Sequence, residues 1–197
     1  AIKPALKVIG REEGVSKAAG MYIVMTKDGP FFFADTTINL DPTAEEIAEI
    51  TTMVATTVKR LGIIPRCALL TYSNFGSSQG KDAQKMRKAK EILRETNPSL
   101  VVDGDIQANF ALNNQLLKDI FPFSDLVNKK TNVLIFPNLS SGNIAYKMMD
   151  EMTDAEVIGP IVLGLNKSFH VLTMGCSVRE IVAMATIATI DAQRRRG

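Results

Sequence analysis

The sequence contains little of what disulfide scaffolds, zinc sites and membrane spans require. Its 197 residues include one histidine, His170, two cysteines, Cys67 and Cys176, and no tryptophan. Two distant cysteines form no disulfide scaffold, and one histidine leaves too few ligands for a Cys/His zinc site. No apolar run approaches about eighteen residues, and no signal peptide precedes the first strand. We therefore expect a cytoplasmic protein with no metal site and no membrane partner; because it opens without methionine, we expect a piece of a longer chain.

An excess of charge of one sign is also missing. Lysine and arginine number 23 against 21 aspartates and glutamates, a formal net charge of +2. This balance creates no field that would recruit nucleic acid. The sequence does have 46% hydrophobic residues, which is enough for one good core or two small ones.

Short apolar segments alternate with polar loops and amphipathic helices. This order predicts an α/β fold with a mixed, mostly parallel sheet flanked by helices. Segments 21–25 and 31–34 enclose the turn residues 27–30 and predict an antiparallel hairpin. Further strands are predicted at residues 67–72, 100–102, 133–136 and 169–172.

Two helix starts are marked by capping-box spacing. Thr43 with Glu46 begins the first long helix, and Ser177 with Glu180 begins the last one. Both pairs place a hydroxyl and a carboxylate where each can accept from a free backbone amide.

Three loops, at residues 73–80, 140–143 and 173–176, are rich in Ser, Thr, Asn and Gly. Ligands of parallel sheets gather beyond the carboxyl ends of strands, and this composition suits phosphate. Ordinary turns have the same composition, so both interpretations stay open. Residues 76–82, GSSQGKD, differ from a P-loop because three residues separate the glycines and Asp82 replaces the magnesium-binding hydroxyl. We therefore exclude ATP or GTP hydrolysis, and no Gly-x-Gly-x-x-Gly fingerprint indicates a nicotinamide site.

Cys176 and His170 are the remaining candidates for chemistry. A thiol just before a helix can become a nucleophile, but no base is assured beside Cys176. His170 lies within an apolar segment, where a structural imidazole is favoured over a general base.

Longer blocks of sequence resemble the phosphate acetyl/butyryltransferase family in order and spacing. They are residues 41–50, 102–107, 133–139, 142–147, 158–161 and 164–167. Residues 31–37, 72–78 and 178–184 look most like the phosphotransacetylase domain at the C-terminus of bacterial NADP-dependent malic enzymes. The resemblance implies a module that binds acetyl-CoA or CoA and regulates the oxidative decarboxylation of malate to pyruvate. NADP and a divalent metal are then expected in the malic part, which is not in this sequence.

The resemblance also implies a set of catalytic residues. In the family a carboxylate deprotonates the CoA thiol, the thiolate attacks the acetyl carbonyl, and a hydroxyl and arginines stabilise charge and hold phosphate. The family loop Asn-Asp-Leu-Ser-Arg-Gly-Cys reads HVLTMGC here, so Thr173 keeps the hydroxyl and Glu180 the carboxylate, while Met174 replaces the arginine. A thioether makes none of the charge-assisted bonds of a guanidinium, and losing them commonly costs about 2 to 5 kcal/mol.

Binding residues follow from the same resemblance. Lys3 stands in an Ile-Lys-Pro-Ala-Leu block where the family has arginine, so the charge remains without the bidentate fork. The loops expected to hold CoA contribute Ser73, Ser77, Ser78, Ser140, Gly142, Asn143 and Lys167, together with Thr173. We expect CoA binding to be retained and acetyl transfer to be weak or absent.

The family fold, which is of the isocitrate/isopropylmalate dehydrogenase kind, has two α/β domains. By analogy residues 11–160 form the second domain, and residues 1–10 and 161–197 belong to a first domain whose remainder is absent. A homodimer through the second domain is expected. Two alternatives stay open: an active phosphate acetyl/butyryltransferase, and a dimerisation scaffold that binds nothing.

Overall fold

The computed structural model describes residues 2–194 and, among them, the side chains of residues 4–193. Seven helices and six strands follow one another in this part of the chain. The helices are α1 Ile2–Ile9, α2 Ala44–Arg60, α3 Lys81–Thr96, α4 Ala108–Leu112, α5 Asn114–Ile120, α6 Leu139–Met152 and α7 Val178–Arg194. The strands are β1 Ala19–Thr26, β2 Gly29–Ala34, β3 Arg66–Leu70, β4 Val101–Ile106, β5 Val133–Ile135 and β6 Glu156–Leu163.

The strands form one sheet in the order β4-β3-β5-β2-β1-β6. The first four pair in parallel, whereas β1 is antiparallel to both β2 and β6. Five strands therefore run in one direction and β1 opposes them. This confirms the mixed, mostly parallel α/β fold and the hairpin, in which Thr26 faces Gly29 across the turn.

Helices cover both faces of the sheet. One core cluster joins the sheet to α2, α3 and α7, and the other joins it to α4, α5 and α6. On α2, Ile47, Ile50, Val54 and Val58 are at most 1% exposed. Each such side chain stabilises the fold by roughly 1.5 to 3 kcal/mol relative to an exposed one, so this stripe fixes α2 against the sheet.

Both predicted capping boxes form. Thr43 Oγ1 accepts from the Glu46 amide at 3.3 Å, and Glu46 Oε2 accepts from the Thr43 amide at 2.9 Å. At the start of α7, Ser177 Oγ accepts from the Glu180 amide at 3.2 Å, and Glu180 Oε2 accepts from the Ser177 amide at 2.6 Å.

The predicted strand at residues 100–102 is too short. β4 continues to Ile106 and buries the carboxylates of Asp103 and Asp105, which are 1% and 0% exposed. Partners from α3 make the burial of these carboxylates tolerable: Lys90 contacts Asp103, and Arg87 Nη1 lies 3.2 Å from Asp105 Oδ2.

The predicted strand at residues 169–172 is wrong. These residues form no strand, and Phe169 and Val171 pack against Val162 of β6 instead. His170 Nδ1 accepts from the Val162 amide at 3.2 Å, so its imidazole has a structural bond. The apolar pattern therefore reflects packing over the edge strand. The boundary expected between residues 160 and 161 falls inside continuous β6, and the two-domain arrangement stays a prediction.

Candidate functional site

The predicted site residues lie on two opposite sides of the sheet. Strands β2 to β6 all end on one side, which we call the carboxyl side, and begin on the amino side. Residues 73–80, 140–143 and Lys167 follow strand ends and lie on the carboxyl side. Thr173 and Glu180 instead lie beside the first residues of β6, on the amino side. Because a strand rises about 3.3 Å per residue, the length of β6 puts the two groups about 20 Å apart.

The loop after β3 is held together by its own serine hydroxyls. Ser73 Oγ accepts from the Ser78 amide at 3.0 Å and lies 3.1 Å from Ser77 Oγ. Ser77 Oγ accepts from the Asn74 amide at 3.0 Å. Ser73 is buried and Ser77 exposed, so Ser73 shapes the loop and Ser77 faces solvent.

Arg87 and Asp105, which sequence reasoning missed as positioning residues, anchor this loop. Both Arg87 terminal nitrogens donate to the Ser78 carbonyl at 3.1 Å, and one also donates to Asp105. The other Asp105 oxygen accepts from the Gly76 amide at 3.1 Å. The sequence does contain a signal for this pair: Asp105 is an acid at the end of an apolar strand, and Arg87 lies on the helix before that strand.

The start of α6 brings the second predicted loop to the carboxyl side. Asn138 caps the helix, because its Oδ1 accepts from the Ser141 amide at 3.0 Å. Ser140 is exposed, and Asn143 Nδ2 donates to the Thr36 carbonyl at 3.3 Å. Of this pair, Ser140 has the more accessible side chain for a ligand.

Gly142 permits a close approach between α6 and the end of β2. A Cβ atom there would lie 2.6 Å from the Asp35 carbonyl oxygen, so any larger residue forces the two elements apart. The Asp35 segment is itself rigid, because its buried carboxylate accepts from the amides of Gly20, Thr37, Ile38 and Asn39.

An ion-pair network joins the carboxyl-side loops. The nearly buried Lys85 ammonium lies 2.7 Å from Asp41 and 3.1 Å from Asp82. Side-chain hydrogen bonds from Lys81 and Lys85 lower the pKa of Asp41 to about 2. These ion pairs hold the segment that precedes α2 against the start of α3.

Two lysines, Lys167 and Lys3, are among the predicted binding residues. Lys167 is exposed in the segment after β6. Lys3 belongs to α1 by its backbone, and its side chain lies outside the described residues.

A cavity of about 480 Å³ lies on the amino side, and it brings Thr173, Met174 and Glu180 together. Met174 is fully exposed there. The cavity is lined by residues 173–177, Asp150, Glu156, Val157, Arg179 and Glu180. Three carboxylates thus face one guanidinium, and this excess of negative charge opposes the binding of phosphate.

Internal bonds occupy the ionic groups of this cavity. Arg179 Nε lies 3.0 Å from Glu156 Oε1, and Glu180 caps α7 as described. Behind them, Tyr22 stacks on Tyr146 with ring centroids 4.0 Å apart. Burial, with a hydrogen bond to Tyr146, raises the pKa of Tyr22 above its ordinary value, so its hydroxyl stays protonated at neutral pH.

The two cysteines lie in different surroundings. Burial raises the pKa of the Cys67 thiol to about 12, so this side chain is an inert part of the core. Cys176 is half-buried in the amino-side cavity. Among residues 2–194, no group of three His, Cys, Asp or Glu residues is arranged to hold a metal, and no helix is long and apolar enough to cross a bilayer.

Two other grooves contain none of the predicted residues. One, of about 530 Å³, runs along α2 and includes Thr52 and Thr56; the other, of about 730 Å³, lies between α2 and α3. The four basic side chains of the second groove pair with four carboxylates, those of Asp41, Glu45, Asp82 and Asp105.

Comparison with known proteins gives consistent matches to one family. The family model described as phosphate acetyl/butaryl transferase matches residues 1–189. The NADP-dependent malic enzyme of Haemophilus influenzae is 43% identical over 187 residues, which are 95% of this chain and 25% of that protein. The phosphate acetyltransferase of Clostridium acetobutylicum is 34% identical over 200 residues, covering 98% of this chain and 60% of that protein.

Solved structures give the same result. A phosphotransacetylase from Streptococcus pyogenes superposes with a TM-score of 0.92 at 35% identity, covering 98% of this chain and 59% of that chain. The chain therefore spans about a quarter of the malic enzymes and about three-fifths of the shorter transferases that it matches.

Proposed function

Because the chain belongs to the phosphate acetyl/butaryl transferase family, we propose that it is an acetyl-CoA- or CoA-binding regulatory module that is inactive as a transferase. Its 37% to 43% identity to malic enzymes, against 34% to 38% to phosphate acetyltransferases, supports a malic enzyme as the parent protein. In that parent, oxidative decarboxylation of malate takes place in the remainder of the chain, where NADP and a divalent metal bind.

The observation that carries this proposal is Met174 in the amino-side cavity. Thr173 and Glu180 line the same cavity, so the hydroxyl and carboxylate of the family chemistry are present. Among the described residues that line the cavity, none offers a free cation for phosphate, since Met174 has no charge and Arg179 is paired with Glu156. Without such a cation the oxyanion is left unstabilised.

The proposed CoA contacts and the hydroxyl and carboxylate of the family chemistry lie on opposite sides of the sheet. Ser77, Ser140 and Lys167 are exposed on the carboxyl side, where we propose that they contact CoA. Thr173 and Glu180 lie about 20 Å away on the amino side. If the carboxyl-side residues hold CoA, its acetyl carbonyl reaches Thr173 and Glu180 only when the CoA molecule extends along the sheet.

Two assays on the purified protein test this function. Isothermal titration with acetyl-CoA should show binding, while a coupled assay for acetyl phosphate, formed from acetyl-CoA and phosphate, should show no turnover. Lys167→Gln should weaken acetyl-CoA binding about three- to ten-fold, because it removes one exposed cation from the phosphate contacts. Lys118→Gln on α5 is the matched control and should leave binding unchanged. Robust acetyl phosphate formation refutes the proposal.

An active transferase is the second candidate, and the shared cavity of Thr173 and Glu180 favours it. In that case Glu180 removes the CoA thiol proton, the thiolate attacks the carbonyl of acetyl phosphate, and phosphate leaves with the electron pair of the broken C–O bond. Acetyl phosphate formation in the reverse assay separates this candidate from the first.

A scaffold is the third candidate, and the exposed apolar side chains of two helices favour it. Met148 and Met152 on α6, and Val178, Ile181 and Val182 on α7, are 43% to 78% exposed. We propose that residues 161–197 complete a first domain there, and that residues 11–160 form the domain that dimerises. If the protein binds no acetyl-CoA but forms a stable dimer in ultracentrifugation, the scaffold is the one candidate function that remains.

A further inference from the structure

The amino-side cavity contains donors that fit an oxyanion, and the protein's own carboxylates occupy them. Arg179 Nε donates to Glu156 Oε1 at 3.0 Å. The Ser177 amide, at the start of α7, donates to Glu180 Oε2 at 2.6 Å. Among the described residues that line this cavity, Arg179 is the one cation. One guanidinium nitrogen and one amide at the helix start are therefore engaged in internal contacts.

We propose that Glu156 acts as an internal anion that competes with phosphate for Arg179 in this cavity. The inference deepens the proposed function, because it explains the loss of phosphate binding at the same cavity. Met174 is uncharged, and Glu156 contacts Arg179, the one cation among the described residues that line the cavity.

The exposures of the two partners indicate which of them is fixed. The Glu156 side chain is 25% exposed at the first residue of β6, whereas Arg179 is 81% exposed on the first turn of α7. A carboxylate held by a strand keeps its position, and a long exposed arginine turns toward it. Removing the charge of Glu156 leaves Arg179 free beside the hydroxyl of Thr173, where it can face an incoming phosphate.

Inorganic phosphate is the probe for this proposal. Glu156→Gln keeps the size of the side chain and removes its charge, so the protein should bind phosphate about three- to ten-fold more tightly than the parent. The gain should be read from the amide shifts of residues 173–177 during a phosphate titration in NMR. Glu156→Gln combined with Arg179→Gln should lose the gain.

Asp125→Asn is the matched control. Asp125 Oδ2 lies 2.9 Å from Arg94 Nη2 in another exposed pair, near β4 at the opposite edge strand of the sheet. This variant also frees one arginine but places it beside no cavity hydroxyl of residues 173–177, so the shifts of those residues should not change. An equal gain in Asp125→Asn, no gain in Glu156→Gln, or a gain that survives Arg179→Gln would each overturn the proposal.

The phosphate titration of Glu156→Gln can be interpreted whether or not the protein binds acetyl-CoA. A protein that binds no acetyl-CoA but gains phosphate affinity through Glu156→Gln contradicts the proposed function and supports the internal anion. A protein that binds acetyl-CoA but gains nothing through Glu156→Gln supports the proposed function and contradicts the internal anion.

Discussion

Met174→Arg is the substitution that most directly tests the proposal that the cavity lacks a cation for phosphate. Met174 is fully exposed and lines the cavity, so a longer side chain fits with no loss of packing. Hydrogen bonds to a charged group contribute about 1.5 to 3 kcal/mol. Competition from the three cavity carboxylates subtracts about 1 kcal/mol. The net gain of about 0.5 to 2 kcal/mol corresponds to a roughly 2- to 30-fold tighter binding of phosphate.

The assay is a phosphate titration of Met174→Arg beside the parent protein, with unfolding temperature measured for both. Ile64→Arg is the control, because Ile64 is 66% exposed in the connection before β3, several strands away from the cavity. It adds the same charge elsewhere and should bind phosphate as the parent does. If Met174→Arg binds phosphate no better than Ile64→Arg, the absence of an arginine at this position is not what prevents binding.

Three further substitutions or conditions test the fold that carries the site. Gly142→Ala should lower acetyl-CoA affinity and melting temperature together, because its Cβ would lie 2.6 Å from the Asp35 carbonyl; calorimetry that finds neither change contradicts the close approach. Asp103→Asn should lower the free energy of unfolding by about 1.5 to 3 kcal/mol in urea, because the partly buried Lys90 ammonium and the Ser124 hydroxyl lose a charged partner, whereas a loss under about 1 kcal/mol would mean that the pair contributes no more than an exposed one. The depressed pKa of Asp41, about 2 against an ordinary 3.8, stabilises the folded state above pH 3.8, and this contribution should disappear as the pH falls toward 2. Since Asp41 is half exposed, the loss of unfolding free energy between pH 3.8 and 2 should be no more than about 1 kcal/mol. Asp41→Asn should not show this loss.

Local signals were sufficient to predict much of the fold. The capping boxes at Thr43 and Ser177 and the turn before Pro30 act within a few residues, so the sequence contains all their partners. The end of β4 was different. Asp103 and Asp105 are buried only because α3 and the segment at Ser124 supply donors, and no local pattern identifies partners that are distant in the chain.

The candidate site was less predictable than the fold for a similar reason. Loop composition and family resemblance gave the residue types, but their relative positions depend on the path of the chain after β6. Residues 164–176 turn back along β6, with His170 bonded to Val162, and so carry Thr173 to the amino side. Neither periodicity nor spacing encodes that reversal, because it depends on packing against the edge strand.

Glu180 and Met174 differ in what their presence says about function. Glu180 bonds the Ser177 amide and caps α7, so stability alone explains its carboxylate, and its match to the family's acid is weak support for catalysis. Met174 makes no such contribution, since its side chain is fully exposed and arginine would fit there without loss of packing. An exposed thioether in a polar cavity therefore has no packing reason to replace a guanidinium. Packing therefore sets no requirement at position 174, and the proposed function, in which the cavity does not hold phosphate, is consistent with an uncharged side chain there.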